Sequence, residues 1–145
     1  QRFKAVQQGY VDTLDGYRRH LPFLKYKGKH VDNKRYYGLL NICLNSPIQA
    51  AEALIMYRAM TKCHNRMLKE TPKSRMMSMI HDYVGFNVHK TEVLQLFNIV
   101  SESFEDFTSY KVPIEIEMSV GKIWEGGEPL NKKNIEEVAM KLQSA

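Results

Sequence analysis

Apolar residues recur along the chain at two spacings, every second residue or every third to fourth, and each change of spacing marks an element. Residues 1–8 read as the end of a helix broken by Gly9. Residues 10–13 are strand-like, Leu14-Asp15-Gly16-Tyr17 carries an Asp-Gly turn signal, and 18–21 predict a return strand ended by Pro22. A basic loop around Gly28 follows over 23–33, then a helix over 34–44. Ser46-Pro47-Ile48-Gln49 predicts a fresh helix start. Ser46 can accept from an early amide, Pro47 sits where its missing N–H is not needed, and Gln49 can close a capping box. Ile48, Ala51, Ile55, Ala59, Cys63 and Met67 then define one buried face, which Thr71-Pro72 ends.

Residues 76–88 predict a tight β-hairpin, two apolar strands about a His81-Asp82 turn. A third amphipathic helix carries Val93, Leu94, Phe97, Val100, Phe104 and Phe107 on one face. Residues 112–120 alternate apolar with Pro, Glu and Ser, the period of a half-buried strand. Gly126-Gly127 reads as a hinge-like break, and Asn134-x-x-Glu137 caps a short last helix with Ile135, Val138 and Leu142 on one face. This order predicts an α+β fold in which helices cover one face of an antiparallel sheet.

Composition bounds the picture without sharpening it. The 145 residues are 43% hydrophobic and 26% charged, enough for one ordinary core. No apolar run approaches the ~20 residues of a membrane span, and no membrane partner is expected. The chain opens on Gln1 without a signal-peptide pattern, which suggests a piece of something longer. Cys43 and Cys63 fall in helical segments without a CxxC partner, so they read as free or buried thiols of a reducing compartment, not a metal site.

Charge changes the picture more. Residues 1–75 hold 15 Lys/Arg against 5 Asp/Glu, while 76–145 hold 6 against 11. In the basic half Arg18, Arg19, Lys25, Lys27, Lys29, Lys34 and Arg35 interleave with Tyr17, Phe23, Tyr26, Tyr36 and Tyr37. Cations among aromatics suit a phosphate backbone and exposed base faces, and a plain solvated basic surface accounts for the same counts.

Few residues offer chemistry. Asp82, at the tip of a tight turn, would be held rigidly and is a good mount for a hard cation such as Mg²⁺, although Asp is also common in turns for conformational reasons. His81 could bond a phosphate or sugar oxygen. Asn45 and Gln49, one turn apart, could present amides to base edges or sugars, although the capping box competes for Gln49. Arg18 and Arg19 alternate in direction, so at most one faces a given groove. No nucleophile triad, phosphate-cradling Gly-rich loop, HExxH or paired-cysteine motif occurs, which weakens hydrolase, NTPase and zinc-enzyme readings.

Four blocks in order resemble the C-terminal part of family A DNA polymerases. Gly9-Tyr10-Val11-Asp12-Thr13-Leu14-Asp15-Gly16-Tyr17-Arg18-Arg19-His20-Leu21-Pro22 is similar to the family's G-Y-V-x-T-L-x-G-R-R-x-x-L-P block. Asn45-Ser46-Pro47-Ile48-Gln49 resembles its N-[TA]-P-[IM]-Q, and Ile80-His81-Asp82 its V-H-D-E hairpin, called motif C. Val112-Pro113-Ile114-Glu115-Ile116-Glu117, with Val120-Gly121 and Trp124, resembles the closing V-P-L-x-V-E strand. The resemblance covers 1–125 as part of a catalytic domain, palm and fingers, and leaves 126–145 as a C-terminal extension with a short amphipathic helix.

The resemblance implies roles. Asp82 would be one of two palm aspartates of a two-metal Mg²⁺ site, and His81 would contact the primer end. Asn45 and Gln49 would bond nucleic acid, and Arg18 and Arg19 would lie near the DNA backbone. It implies a DNA-directed DNA polymerase with primer-template DNA and dNTP as partners. The second aspartate and the cationic fingers helix would come from an upstream segment, in the same polypeptide or a separate chain, so the isolated chain would be inactive. The expected location is cytoplasmic and DNA-associated. Departures fit a divergent branch, such as a viral one. Tyr83 replaces the usual Glu, Asn41 stands where an arginine is usual, and Ala50, Ala51 and Leu54 replace Gly-[ST]-x-x-Asp. A non-catalytic nucleic-acid-binding module on the same scaffold is the rival reading.

Overall fold

A computed structural model describes residues 2–14, 16–26, 32–105, 114–123 and 126–144. They fall into two compact units, Gln1–Met56 and Tyr57–Ala145, and helix α2 contributes to both.

The first unit opens with α1 (Arg2–Gln8), which stops at Gly9. Gly9 is left-handed at φ +76°, its N–H bonds the Ala5 carbonyl at 2.8 Å, and a Cβ there would lie 2.8 Å from the Lys25 side chain. Strands β1 (Tyr10–Asp12) and β2 (Arg18–His20) pair antiparallel, with Val11 opposite Arg19. Gly16 takes the positive φ the turn needs, while Asp15 lies outside the described residues. The predicted loop after Pro22 begins as a 3₁₀ turn, Pro22–Tyr26, and 27–31 lie outside the described residues. Ala5, Val11, Leu21, Leu24, Tyr36 and Cys43 bury together as the core of this unit.

Helix α2 runs unbroken over Asn33–Glu70, with Pro47 inside it. Two helices were expected here. Asp32 caps the actual start, accepting from the Arg35 amide at 2.7 Å. Ser46 caps nothing. Its hydroxyl donates back to the Ile42 carbonyl at 2.7 Å, a bond that fits a helix interior. Pro47 withholds one intrahelical bond without ending the helix. By length and composition α2 is apolar enough to cross a membrane, contrary to expectation. A spanning placement would put the polar side chains of Asn45, Gln49 and Glu52, all exposed here, into hydrocarbon, which is costly without partners.

In the second unit α2 buries Ala59, Cys63 and Met67, as the periodicity predicts. Ile48 does not join them. It is 68% exposed, while Ala51 and Ile55 further along the stripe are half-buried. Burial pushes the Cys63 thiol up to about 11, so it stays a neutral core group. Hairpin β3 (Arg75–Ile80) and β4 (Tyr83–Asn87) closes on a two-residue loop, with Ile80 opposite Tyr83 and a bulge between Met76 and Ser78. A 3₁₀ turn (Lys90–Glu92) leads into α3 (Val93–Glu105), whose buried face includes Leu96 and Ile99 beside the expected Val93, Phe97, Val100 and Phe104. Leu94 is exposed, and Phe107 lies outside the described residues.

Among the described residues of the predicted strand over 112–120, only β5 (Met118–Val120) is strand. Val112, Pro113 and Trp124 lie outside the described residues. Beyond the Gly126-Gly127 pair, read above as a hinge, a further strand β6 (Glu128–Leu130) returns against β5. α4 (Ile135–Ser144) packs Ile135 and Ala139 on Val93 and Phe97. Its start is held by Asn131, whose Oδ1 accepts from the Lys133 and Asn134 amides, while the Asn134 side chain turns back to the Asn131 amide and the Pro129 carbonyl. The fold is α+β with antiparallel strands, as expected. Among the described residues those strands form three separate two-stranded ladders in place of one sheet.

Candidate functional site

The sequence-predicted residues divide between the two units. In the first, β1 and β2 direct their side chains by strand alternation. Asp12 and Arg18 share the face away from the core, where Arg18 Nε donates to Asp12 Oδ1 at 2.7 Å and its guanidinium lies 3.7 Å over the Tyr10 ring. The Arg18 hydrogen bond holds the Asp12 carboxyl below its usual range. Arg18 is thus committed within its own hairpin.

Arg19 shares the Val11 face and reaches α2, donating from Nη1 to Ser46 Oγ at 3.0 Å. The Ser46 hydroxyl is therefore shared between the Ile42 carbonyl and Arg19, and Gln49 is not drawn into a capping box. Asn45 and Gln49 are both exposed on α2. With Asn41, Ile48 and Glu52, also exposed, they occupy an arc of about 100° on the helix. The structure brings together Arg19, Asn45 and Gln49 as one exposed polar face whose arginine is tethered one residue from Asn45.

In the second unit His81 and Asp82 form the entire loop of the β3–β4 hairpin, and both are exposed. His81 is left-handed at φ 54°, alone among described residues other than glycine. That position of a two-residue turn normally takes glycine, so the imidazole sits there at a conformational cost. Ile80 and Tyr83, paired across the turn, are 53% and 46% exposed and put an apolar collar under the acid.

An exposed, rigidly mounted carboxylate suits Mg²⁺, which takes oxygen ligands and keeps several waters. Among the described residues no group of three or more His, Cys, Asp or Glu is placed to hold a metal. Asp82 is thus a single exposed acid on this hairpin tip, with no second acid of the described residues grouped around it into a metal cluster.

One buried acid escaped the sequence reading. Glu92 is 9% exposed and accepts from the Ser74 hydroxyl at 2.6 Å and the Lys73 amide at 3.1 Å. Burial alone would raise its carboxyl. The Ser74 hydroxyl and the Lys73 and Ser74 amides outweigh that and hold it low. Nothing in its spacing announces the pairing, since 18 positions separate Glu92 from Ser74.

Comparison with known proteins defines the class. A model of DNA polymerase family A matches residues 1–126, and the chain belongs to that family. DNA polymerase I of Bacillus caldotenax is 29% identical over 121 residues, covering 83% of this chain and 13% of that protein. DNA polymerase I of Synechocystis is 31% identical over 137 residues, covering 85% and 14%. The POL domain of Pol1 from M. smegmatis, solved with DNA primer-template and dNTP, superposes with a TM-score of 0.69 at 28% identity, covering 79% of this chain and 19% of that one. The chain thus spans about a seventh of the curated relatives it matches.

Proposed function

We propose that this chain is the segment of a DNA-directed DNA polymerase that supplies one metal-binding aspartate and the primer-template contacts of α2, and that it works only with upstream segments. The reaction joins the primer 3′-oxygen to the α-phosphorus of a dNTP and breaks the bond to the β-phosphate, releasing pyrophosphate and the hydroxyl proton. Mg²⁺ in such a site polarises the phosphate and favours the ionised hydroxyl. Asp82 would hold it from one side, and a second carboxylate would come from outside this chain. His81, beside Asp82, would bond the primer end. Asn45 and Gln49 would donate amide hydrogens to minor-groove acceptors that every base pair offers, a contact that tolerates any sequence. Arg19 would meet a backbone phosphate, with Arg18 held back by Asp12. The site of action would be cytoplasmic, on DNA.

The observation that carries this reading is the exposed Asp82 on a two-residue loop, in a chain of this family. The test is Asp82→Ala in the intact polymerase. Primer extension should fall by about three orders of magnitude or more while primer-template binding stays within a few-fold. Near-normal extension would refute the assignment. Tyr83 and Asn41 motivate a non-catalytic nucleic-acid module, and Mg²⁺-dependent extension by the parent would eliminate it.

A further inference from the structure

We propose that Glu92, acting through Ser74, is a positioning residue that sets the aim of the His81-Asp82 tip. The inference rests on the reading of Asp82 as a metal ligand. Ser74 immediately precedes β3, and His89 follows β4 by two residues. The Ser74 hydroxyl accepts from the His89 amide at 3.0 Å and donates to Glu92 Oε2 at 2.6 Å. Glu92 Oε1 takes the Lys73 amide. One hydroxyl and one buried carboxylate thereby tie both legs of the hairpin to the turn that opens α3, whose Val93 and Phe97 are seated in the core.

The ladder needs such a tie. Among the described residues β3 and β4 pair only with each other, and a lone two-stranded hairpin is marginal in water. The six residues of β3 put the tip about 20 Å from the base, so a swing of about 5° at the base moves Asp82 by about 2 Å. A misplacement of about 1 Å is already enough to cost about a hundredfold in a catalytic constellation. The carboxylate suits the task. It is acceptor-only, both its oxygens are used, and its partners keep it ionised at neutral pH. Glu92 touches no reacting atom, so its effect passes through the hairpin.

The test uses Glu92→Gln and Ser74→Ala in the intact polymerase, beside Asp82→Ala. Each variant should lower kcat and raise the Mg²⁺ concentration for half-maximal extension by about 10- to 100-fold, the range seen when groups that orient metal ligands are removed. The KM for dNTP and the primer-template Kd should stay within about twofold, and the double variant should be no worse than the poorer single one. Amide exchange at residues 80–83 should quicken in both. A lowered Tm with an unchanged Mg²⁺ requirement and unchanged tip exchange would overturn the inference and leave a purely structural pair. If Glu92→Gln fails to fold, Ser74→Ala, which removes one hydroxyl, carries the test. If Asp82→Ala extends normally, the metal-ligand reading fails separately, and faster tip exchange in Ser74→Ala still reports whether the tie exists.

Discussion

His81 holds a conformation that glycine would adopt freely, and the two-residue loop leaves it no slack. The left-handed backbone costs an L residue about 1–2 kcal/mol. His81→Gly should therefore raise stability, by about 1 kcal/mol after the added freedom of the unfolded chain is counted. On the primer-end role proposed for the imidazole, the same variant should slow primer extension. Thermal melting and extension rates on one preparation check both signs. A variant that is less stable would show that the ring, not the turn, holds the tip together. At this scale much was readable in the sequence. A His-Asp pair between two apolar runs predicts a turn, and Asn45 and Gln49 at i and i+4 predict one face. Glu92 was not readable, because its environment is made by residues far away in sequence.

At the scale of elements, α2 shows why local signals mislead. Ser-Pro-x-Gln is a strong helix start when read alone, yet here it lies in the fourth turn of a long helix that continues on both sides of it. Tertiary contact decided the matter, since Ser46 is wanted by both Ile42 and Arg19. The β1–β2 pairing was legible in the sequence, and so was the positive φ of Gly16, because Asp-Gly has few alternatives. β6 was not, since Glu-Pro-Leu has no strand period and is ordered only by β5 beside it.

The hairpin also predicts unequal arginines. Arg19→Ala in the intact polymerase should weaken primer-template binding and lower the slope of log K against log salt by about one. Arg18→Ala should leave that slope nearly unchanged, because Arg18 is spent on Asp12 and Tyr10. Equal loss of slope in both variants would remove the distinction. Binding titrations at several salt concentrations decide it.

At the scale of the whole molecule, Asp12, Glu70 and Glu92 are all held below the usual carboxylate range by their partners. Arg66, bonded to Glu70 at 2.7 and 3.1 Å and to Glu102 at 2.5 Å, ties α2 to α3, and Gln95 adds a bond to Glu70 at 2.6 Å. Arg66 chiefly holds the Glu70 carboxyl below its usual range, as Arg18 does for Asp12. A carboxyl whose folded value lies below its unfolded one adds stability at neutral pH. That contribution is lost as pH falls from the ordinary range near 4 through the lower folded value. Glu70→Gln should thus melt earlier than the parent at pH 7, and the gap should close on the way to pH 3. The effect is modest, because both partners are partly wet and salt screens them. A gap that is constant with pH would mean the pair contributes no linkage.

The three ladders leave rows of main-chain N–H and C=O groups along β3 and β4 facing no described neighbour. Such flanks are adhesive, and the Met-rich β3, with Met77 64% exposed, has no proline to blunt them. Handled by itself, this chain should stick to itself edge on edge. Its solubility would then depend on capping those flanks, not on repairing its core.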